Sequence, residues 1–319
     1  MIQTRFALLC FIGLPLWAQA PSNVNLESQA IQLREIVERA PRLALRQTEM
    51  AIQAPNEGWE LDMVSSVAVD RKGVVYLLQR GDKADPVVAV DRDGRVLRSW
   101  GKGLYKIPHS IRIDPAGNVW TVDAQSSVVL KFTPEGKKLL EISVGGQPAS
   151  ARSQFCGTTD IAFAPDGRLF ISDGYANARV LEYTAGGQRV REWGSPGTGP
   201  GQFRLPHGIA VDETGVIYVA DRENGRIQRF DLEGRYLGEW SNFGKTFSLA
   251  LAGEALWIGT QPRNQTNGAP GWLMKIDRHG GKLLGSVESP GHHSIEVTES
   301  GELLTGTRPK QVLWFRNTK

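Results

Sequence analysis

The stretch Pro206-His-Gly-Ile-Ala-Val-Asp-Glu-Thr-Gly-Val-Ile-Tyr-Val-Ala-Asp-Arg-Glu-Asn-Gly-Arg-Ile-Gln-Arg-Phe230 decides the fold. Apolar residues alternate with period two on both sides of Gly215, the pattern of strands joined by a tight turn. The pattern recurs along the chain. Val67-Ala-Val-Asp-Arg-Lys-Gly73, Ile111-Arg-Ile-Asp-Pro-Ala-Gly117, Ile161-Ala-Phe-Ala-Pro-Asp-Gly167 and Ile295-Glu-Val-Thr-Glu-Ser-Gly301 are the same element as Ile209-Ala-Val-Asp-Glu-Thr-Gly215. Leu249-Ala-Leu-Ala-Gly253 is a shorter copy, which makes six units. Turns of the Asp-x-x-Gly type suit hairpins. A third strand follows in Val128-Val-Leu-Lys-Phe132, Arg179-Val-Leu-Glu-Tyr183 and Arg226-Ile-Gln-Arg-Phe230, and a fourth ends in Trp100, Trp193 or Trp240.

Self-similarity at this period is the mark of a repeat architecture. Four strands in each of six units predict an all-β, six-bladed β-propeller over residues 55–319. The last unit runs out after three strands. A strand from the N-terminal side, near Glu49 to Gln53, is expected to complete it. Residues 21–54 form a lead-in segment, with helical character over 26–39 from Leu26, Leu33, Ile36 and Val37 before Pro41. Gly197-Thr-Gly-Pro-Gly201 resembles a phosphate loop only in composition. It lacks a strand–loop–helix context and reads as a turn between blades.

The remaining signals bound the class. Net charge is +3 and no basic run is present, so nucleic acid is not an expected partner. Residues 1–20 read as an export signal: Arg5, an apolar stretch from Phe6 to Trp17, then Ala18-Gln19-Ala20 as a cleavage site. The mature chain is expected in the periplasm or secreted, without a membrane span and as a monomer. Removal of Cys10 with the signal leaves Cys156 alone, so no internal disulfide is expected.

When the six units are overlaid, the position two residues before the first apolar residue holds Ser65, His109, Thr159, His207, Phe247 and His293. Histidine occupies alternate units, and the chain has only five histidines. In a closed ring, side chains of alternate blades converge on the axis about 120° apart. One histidine there would more simply be a hydrogen-bonding channel residue. Three suggest a shared metal ion with an open coordination position, for which zinc is the leading candidate. Copper, iron and nickel accept the same ligands. His279 and His292 fall outside the pattern and read as surface residues.

A second register lies thirteen residues beyond the first apolar residue. It holds Arg80, Arg222 and Arg308 in units one, four and six, and Gly174 followed by Tyr175 in unit three. Guanidinium forks suit a carboxylate. A tyrosine near an arginine and a metal is a candidate base. Arg308 reads as a surface residue, whereas Arg80 and Arg222 are expected at the site.

These stretches, above all Asp221-Arg-Glu-Asn-Gly-Arg-Ile-Gln228 with Ser172-Asp-Gly-Tyr175, Gln79-Arg-Gly-Asp82 and the Pro-His pairs, resemble the peptidyl-α-hydroxyglycine α-amidating lyase family, six-bladed propellers of NHL-type repeats. The resemblance runs through most of residues 59–319. It implies zinc on His109, His207 and His293, a catalytic Tyr175, and active-site arginines at Arg80 and Arg222. It also implies cleavage of the C–N bond of a peptidyl-α-hydroxyglycine to a peptide amide and glyoxylate. The substrate would be a peptide or small molecule ending in an α-hydroxyglycine-like group. Ala176, Tyr218 and Arg229 stand where the family has disulfide cysteines. Gly291-His-His-Ser294 replaces Met-Pro-His-Asp, which removes a pocket methionine and a calcium-binding acid and leaves the structural calcium in doubt. The competing expectations are a non-catalytic NHL propeller that binds a protein or glycan and, last, a propeller hydrolase such as a lactonase.

Overall fold

The first hairpin of blades one, two and four turns on Asp-x-x-Gly, at Asp70, Asp114 and Asp212. In the computed structural model, which describes residues 25–146, 156–306 and 312–318, Asp70 Oδ1 accepts from the backbone N–H groups of Lys72 and Val74, both at 2.9 Å. Asp212 does the same for Thr214 and Val216, at 2.9 Å each. The turn closes on a glycine with positive φ, +82° at Gly73 and +87° at Gly215, a conformation that a Cβ disfavours.

Six four-stranded antiparallel sheets result. Blade one comprises Val64–Val69, Val75–Gln79, Val87–Val90 and Val96–Trp100. Blade two begins at Pro108–Ile113, blade three at Thr158–Phe163, blade four at Pro206–Val211 and blade five at Lys245–Ala252. Blade six takes Ser294–Val297, Leu303–Gly306 and Val312–Asn317 from the C-terminal end. Its fourth strand is Leu45–Glu49, paired antiparallel with Val312–Asn317. The closing strand therefore comes from the N-terminal side as expected, a few residues before Glu49 to Gln53. Gly197 to Gly201 lies between blades three and four, flanked by a short parallel pair, Ser195–Pro196 with Gln202–Phe203.

The core is divided into layers between neighbouring blades. Tyr76, Leu78 and Val87 of blade one meet Ile111, Leu130 and Phe132 of blade two, and similar layers recur around the ring to blades six and one. Trp100, Trp193 and Trp240 end their blades by covering turn glycines of the next one. A Cβ on Gly136, Gly234 or Gly281 would lie within 2.8 Å of the indole. Helix α1, Leu26–Arg39, is capped by the Asn25 side chain, which accepts from Ser28 N at 2.9 Å. It ends before Pro41, and Leu33 buries itself in the layer between blades four and five. Among the described residues no helix is long and apolar enough to cross a membrane. The expected export segment and Arg308 lie outside the described residues.

Candidate metal centre and active site

Ring closure brings His109, His207 and His293 together at the axis, with candidate ligand atoms all within 4.8 Å of one another. His109 and His207 lie in the first strands of blades two and four, and His293 immediately precedes that of blade six. The intervening blades orient them. His109 Nδ1 donates to Thr159 O at 2.6 Å, His207 Nδ1 to Phe247 O at 2.7 Å and His293 Nδ1 to Ser65 O at 2.7 Å. All six register positions thus participate, three through imidazoles and three through carbonyls. A carbonyl can only accept, so each Nδ1 carries the proton and each Nε2 keeps its lone pair. That is the arrangement by which a backbone carbonyl fixes the tautomer of a metal-binding histidine.

Charge points the same way. Burial holds the imidazoles of His109 and His207 well below the usual histidine range. The repulsion that a proton on the neighbouring His207 would bring and the Arg80 guanidinium add to this at His109, as do Arg222 and the proximity of His293 at His207. Both rings are therefore neutral at pH 7, the form that binds a metal. The donor set and its environment fit a zinc ion.

Tyr175 reaches this cluster from the loop after strand Leu169–Asp173. Its hydroxyl lies 3.0 Å from His109 Nε2 and 3.2 Å from His207 Nε2. The ring is buried among Ile107, Ala124 and Leu205. Gly174 permits the approach, because a Cβ there would stand 2.0 Å from Pro206 O. Arg80 is half-buried and donates through Nε to Pro108 O at 2.9 Å, next to His109. Arg222 is 2% exposed. Its guanidinium lies 5.1 Å from the centroid of Phe247, within reach of an aromatic face for a cation–π contact. The structure thus gathers all six residues selected from the two registers.

Several contributors were not selected from the sequence. Gln79, Asp123, Asp221 and Gln261 end their second strands, each twelve residues after the first apolar residue. Their side chains accept from loop N–H groups: Gln79 from Asp62 and Gly81, Asp123 from Lys106 and Ile107, Asp221 from Arg204 and Gln261 from Gly268. This third register was legible as a recurrence of buried acids and amides. Phe247 was visible only as the exception among hydroxyls and histidines. Ser65 and Thr159 donate to Pro108 O and Pro206 O, both at 2.9 Å. Phe247 has no hydroxyl for the backbone before His293. Its ring instead packs 5.5 Å from that of His207 and 6.4 Å from that of His293.

Beyond the histidines the axis is filled by Arg112. Its Nε and Nη2 grip Asp160 at 3.0 and 2.6 Å, and Nη2 also donates to Leu249 O at 3.3 Å. Its Nη1 lies 3.7 Å from Glu296. One guanidinium from blade two therefore engages blades three, five and six. Ser294 Oγ, at the position of the family's calcium acid, accepts from Val67 N at 3.1 Å and joins blade six to blade one. Calcium requires six to eight oxygen ligands, whereas the axial acids here already surround an internal cation. The residues do not fit a structural calcium at this place.

Burial raises the Glu296 carboxyl to about 7, against the opposing pull of Arg112. The fold therefore binds a proton between about pH 4.5 and 7 that the unfolded chain releases, and stability falls as pH rises through this window. Glu296→Gln should accordingly stabilise the protein more at pH 8 than at pH 5, measured by thermal melts at the two pH values. An equal effect at both would refute the assignment.

The comparisons with known proteins bear on the fold and the relatives of the chain. The NHL repeat family matches residues 203–230. Peptidyl-glycine alpha-amidating monooxygenase A of Xenopus laevis is 32% identical over 303 residues, covering 82% of this chain and 32% of that protein. Peptidyl-alpha-hydroxyglycine alpha-amidating lyase 1 of Drosophila melanogaster is 38% identical over 149 residues, 43% of this chain and 27% of that protein. Lyase 2 of the same organism is 27% identical over 285 residues, 78% of this chain and 69% of that protein. The chain is a homologue of the peptidyl-α-hydroxyglycine α-amidating lyases. It spans 26% of the length of the mouse monooxygenase and 20% of that of the rat enzyme. The relatives' names support a lyase-like function. Among solved structures, a streptogramin B lyase superposes with a TM-score of 0.61 at 14% identity, covering 86% of this chain and 98% of that one. That likeness concerns the fold alone.

Against these lyases the departures now have a physical content. Tyr218 and Arg229 face each other across paired strands. The Tyr218 hydroxyl donates to Asp212 at 3.0 Å, and the Arg229 guanidinium covers Trp240 at 4.8 Å. Non-covalent packing occupies the place of a cross-link. His292 is not the surface residue expected: it is 4% exposed. Gly259 has no side chain, and a Cβ there would meet the His292 ring at 2.6 Å. The imidazole fills that vacancy. His279 is exposed as expected, paired with Glu254. Gly291 sits where its Cβ would be 2.6 Å from Gly268 O, so a methionine has no room there. Met63, from blade one, instead lines the cavity of about 30 Å³ beside His293, with Phe247, Asn267, Gly268 and His292.

Proposed function

We propose that this chain is a zinc-dependent carbon–nitrogen lyase that cleaves an N-acyl α-hydroxyglycine, releasing an amide and glyoxylate. The observation that carries the reading is the set of three imidazoles, each held by a carbonyl on Nδ1, with the Tyr175 hydroxyl within 3.2 Å of two inward Nε2 atoms. Zinc, when bound to His109, His207 and His293, supplies a Lewis acid that lowers the pKa of the substrate hydroxyl.

The side chains divide the remaining work. Arg80 holds the substrate carboxylate through its fork. Tyr175, its hydroxyl 3.0 Å from His109 Nε2, takes the substrate's hydroxyl proton. The C–O bond becomes a carbonyl as the C–N electron pair moves onto nitrogen. The amide nitrogen then takes a proton, which Tyr175 is placed to return. The substrate carries a hydroxyl that a hydroxylation must supply, and an export signal over residues 1–20 would put the reaction in the periplasm or outside the cell.

The direct test mixes zinc-loaded protein with a hydroxyglycine-terminated peptide and follows glyoxylate. No zinc-dependent release sinks the proposal. Tyr175→Phe should lower kcat by roughly 10²- to 10⁴-fold, the range for loss of a proton-transferring group, with zinc content unchanged. A variant that keeps wild-type kcat would remove Tyr175 from the mechanism.

A second reading is a propeller that only binds a protein or glycan. It draws on similarity to NHL repeat-containing protein 3 of Homo sapiens, 32% identical over 189 residues and covering 54% of that protein. Metal analysis separates the two readings, since a binding scaffold needs no stoichiometric zinc.

A further inference from the structure

The 3₁₀ turn Arg222–Asn224 carries a second buried charge, Glu223, which is 5% exposed. Its Oε1 accepts from Arg222 Nε at 2.9 Å. This occupies one edge of the guanidinium, while Arg222 Nη2 is buried with no hydrogen-bond partner among the described residues. The Phe247 ring bounds the same group on its face. Carboxylate and ring together restrict how the guanidinium can turn.

Glu223 is itself held from two sides. Its N–H donates to Arg204 O at 2.9 Å, and its carbonyl accepts from Arg263 Nη2. Arg263 comes from the loop between the second and third strands of blade five and is 7% exposed. Its stem occupies the space that a Cβ on Gly225 would need, 2.8 Å from Cδ, and Gly225 has φ +68°. The other arm of Arg263 donates to Gln29 Oε1 on α1. Beside it, Asn264 Nδ2 donates to Glu27 Oε2 at 2.6 Å. Leu33 anchors the same helix between blades four and five. A continuous line of contacts runs from α1 through Arg263 and Glu223 to Arg222.

We propose that Glu223 is a positioning residue for Arg222, and that Arg263 and α1 form the clasp that holds Glu223 in place. The helix is then part of the support of the site. The inference rests on the reading of Arg222 as an active-site group. The physical basis is that a buried guanidinium without its carboxylate is both uncompensated and free to swing. Displacement by an ångström far from the reacting bond is enough to slow turnover.

The experiment has two arms. In glyoxylate release, Glu223→Ala should lower kcat about 10- to 100-fold, as for other residues that orient a first-contact group, with KM changed by less than about threefold and zinc content unchanged. Glu223→Gln, which keeps an acceptor oxygen for Arg222 Nε, should recover most of that loss. In an Arg222→Ala background, Glu223→Ala should cost less than about twofold, because the two residues act as one unit. Additive losses would overturn the proposal.

The second arm does not depend on activity. The Arg222 Nε–H signal, assigned by its loss in Arg222→Lys, should exchange slowly with water. Its exchange should quicken at least tenfold in Glu223→Ala and in Arg263→Ala, and should be unchanged in the exposed control Glu233→Ala. Unchanged exchange in the first two variants would overturn the clasp. If the wild-type protein releases no glyoxylate, the lyase reading fails, and this arm still decides whether Glu223 holds Arg222.

Discussion

His207→Ala is expected to abolish stoichiometric zinc and to lower glyoxylate release by about a thousandfold or more. That corresponds to losing roughly 4 kcal/mol of Lewis-acid stabilisation of the reacting oxygen. His207 is one corner of a triangle of imidazoles, its ring centroid 4.9 Å from His109 and 5.2 Å from His293, which are themselves 4.6 Å apart. Its Nε2 also lies 3.2 Å from the Tyr175 hydroxyl. The substitution therefore removes a ligand and a neighbour of the candidate base together. Metal content by mass spectrometry and turnover on the same sample are the measurements. An alanine variant that keeps full zinc, or one that loses zinc but not activity, would separate the metal from the reaction and favour the binding-scaffold reading. Because burial and nearby positive groups hold His109 and His207 below the usual imidazole range, protons compete weakly for these ligands. Zinc content should change little between pH 7 and pH 6.

Arg112→Ala is the second large effect, this time on stability. Arg112 is 12% exposed at its side chain and pairs with Asp160, which is 4% exposed. Its removal leaves Asp160 and Glu296 facing each other across a buried space without the cation between them. Breaking a buried pair from one side costs about 3–5 kcal/mol, because the remaining charge is uncompensated. Asp160 retains Ser110 Oγ at 2.9 Å and Ile161 N at 3.0 Å, which limits the loss. Urea unfolding of the variant against the wild type measures it. A loss below about 1 kcal/mol, the size of an exposed pair, would show that the axial guanidinium does not tie the blades together.

Much of this was visible in the chain before any coordinates. The copies of the Ile209–Gly215 element predicted six blades, and alternation within each predicted the strands. The position of histidine in alternate copies predicted that three imidazoles would meet. Asn25 and Pro41 bound the helix over the residues read as helical. All of these are local patterns or counts along a repeat. The placement of Arg222 was only half legible. Its register predicted the correct rim, but nothing in Asp221-Arg-Glu-Asn-Gly-Arg226 says that Glu223 turns back onto it or that Arg263 reaches in from the next blade. His292 was misread because its neighbour in space, Gly259, is far away in sequence. Met63 was overlooked because it fills a wall that belongs to another blade.

The sequence by itself determined the repeat, the number of blades and which residue types occupy each register position. Tertiary structure decided which atoms of those residues face the axis and what lies beside them. The Nδ1 bonds to Thr159, Phe247 and Ser65, the Arg112 ion pairs across the channel and the line from α1 to Arg222 all join different blades. The reason is geometric. Hydrogen bonding and alternation act over a few residues and leave a local trace. Closing the ring puts one inner position from every blade within side-chain reach of the others, whatever their separation along the chain.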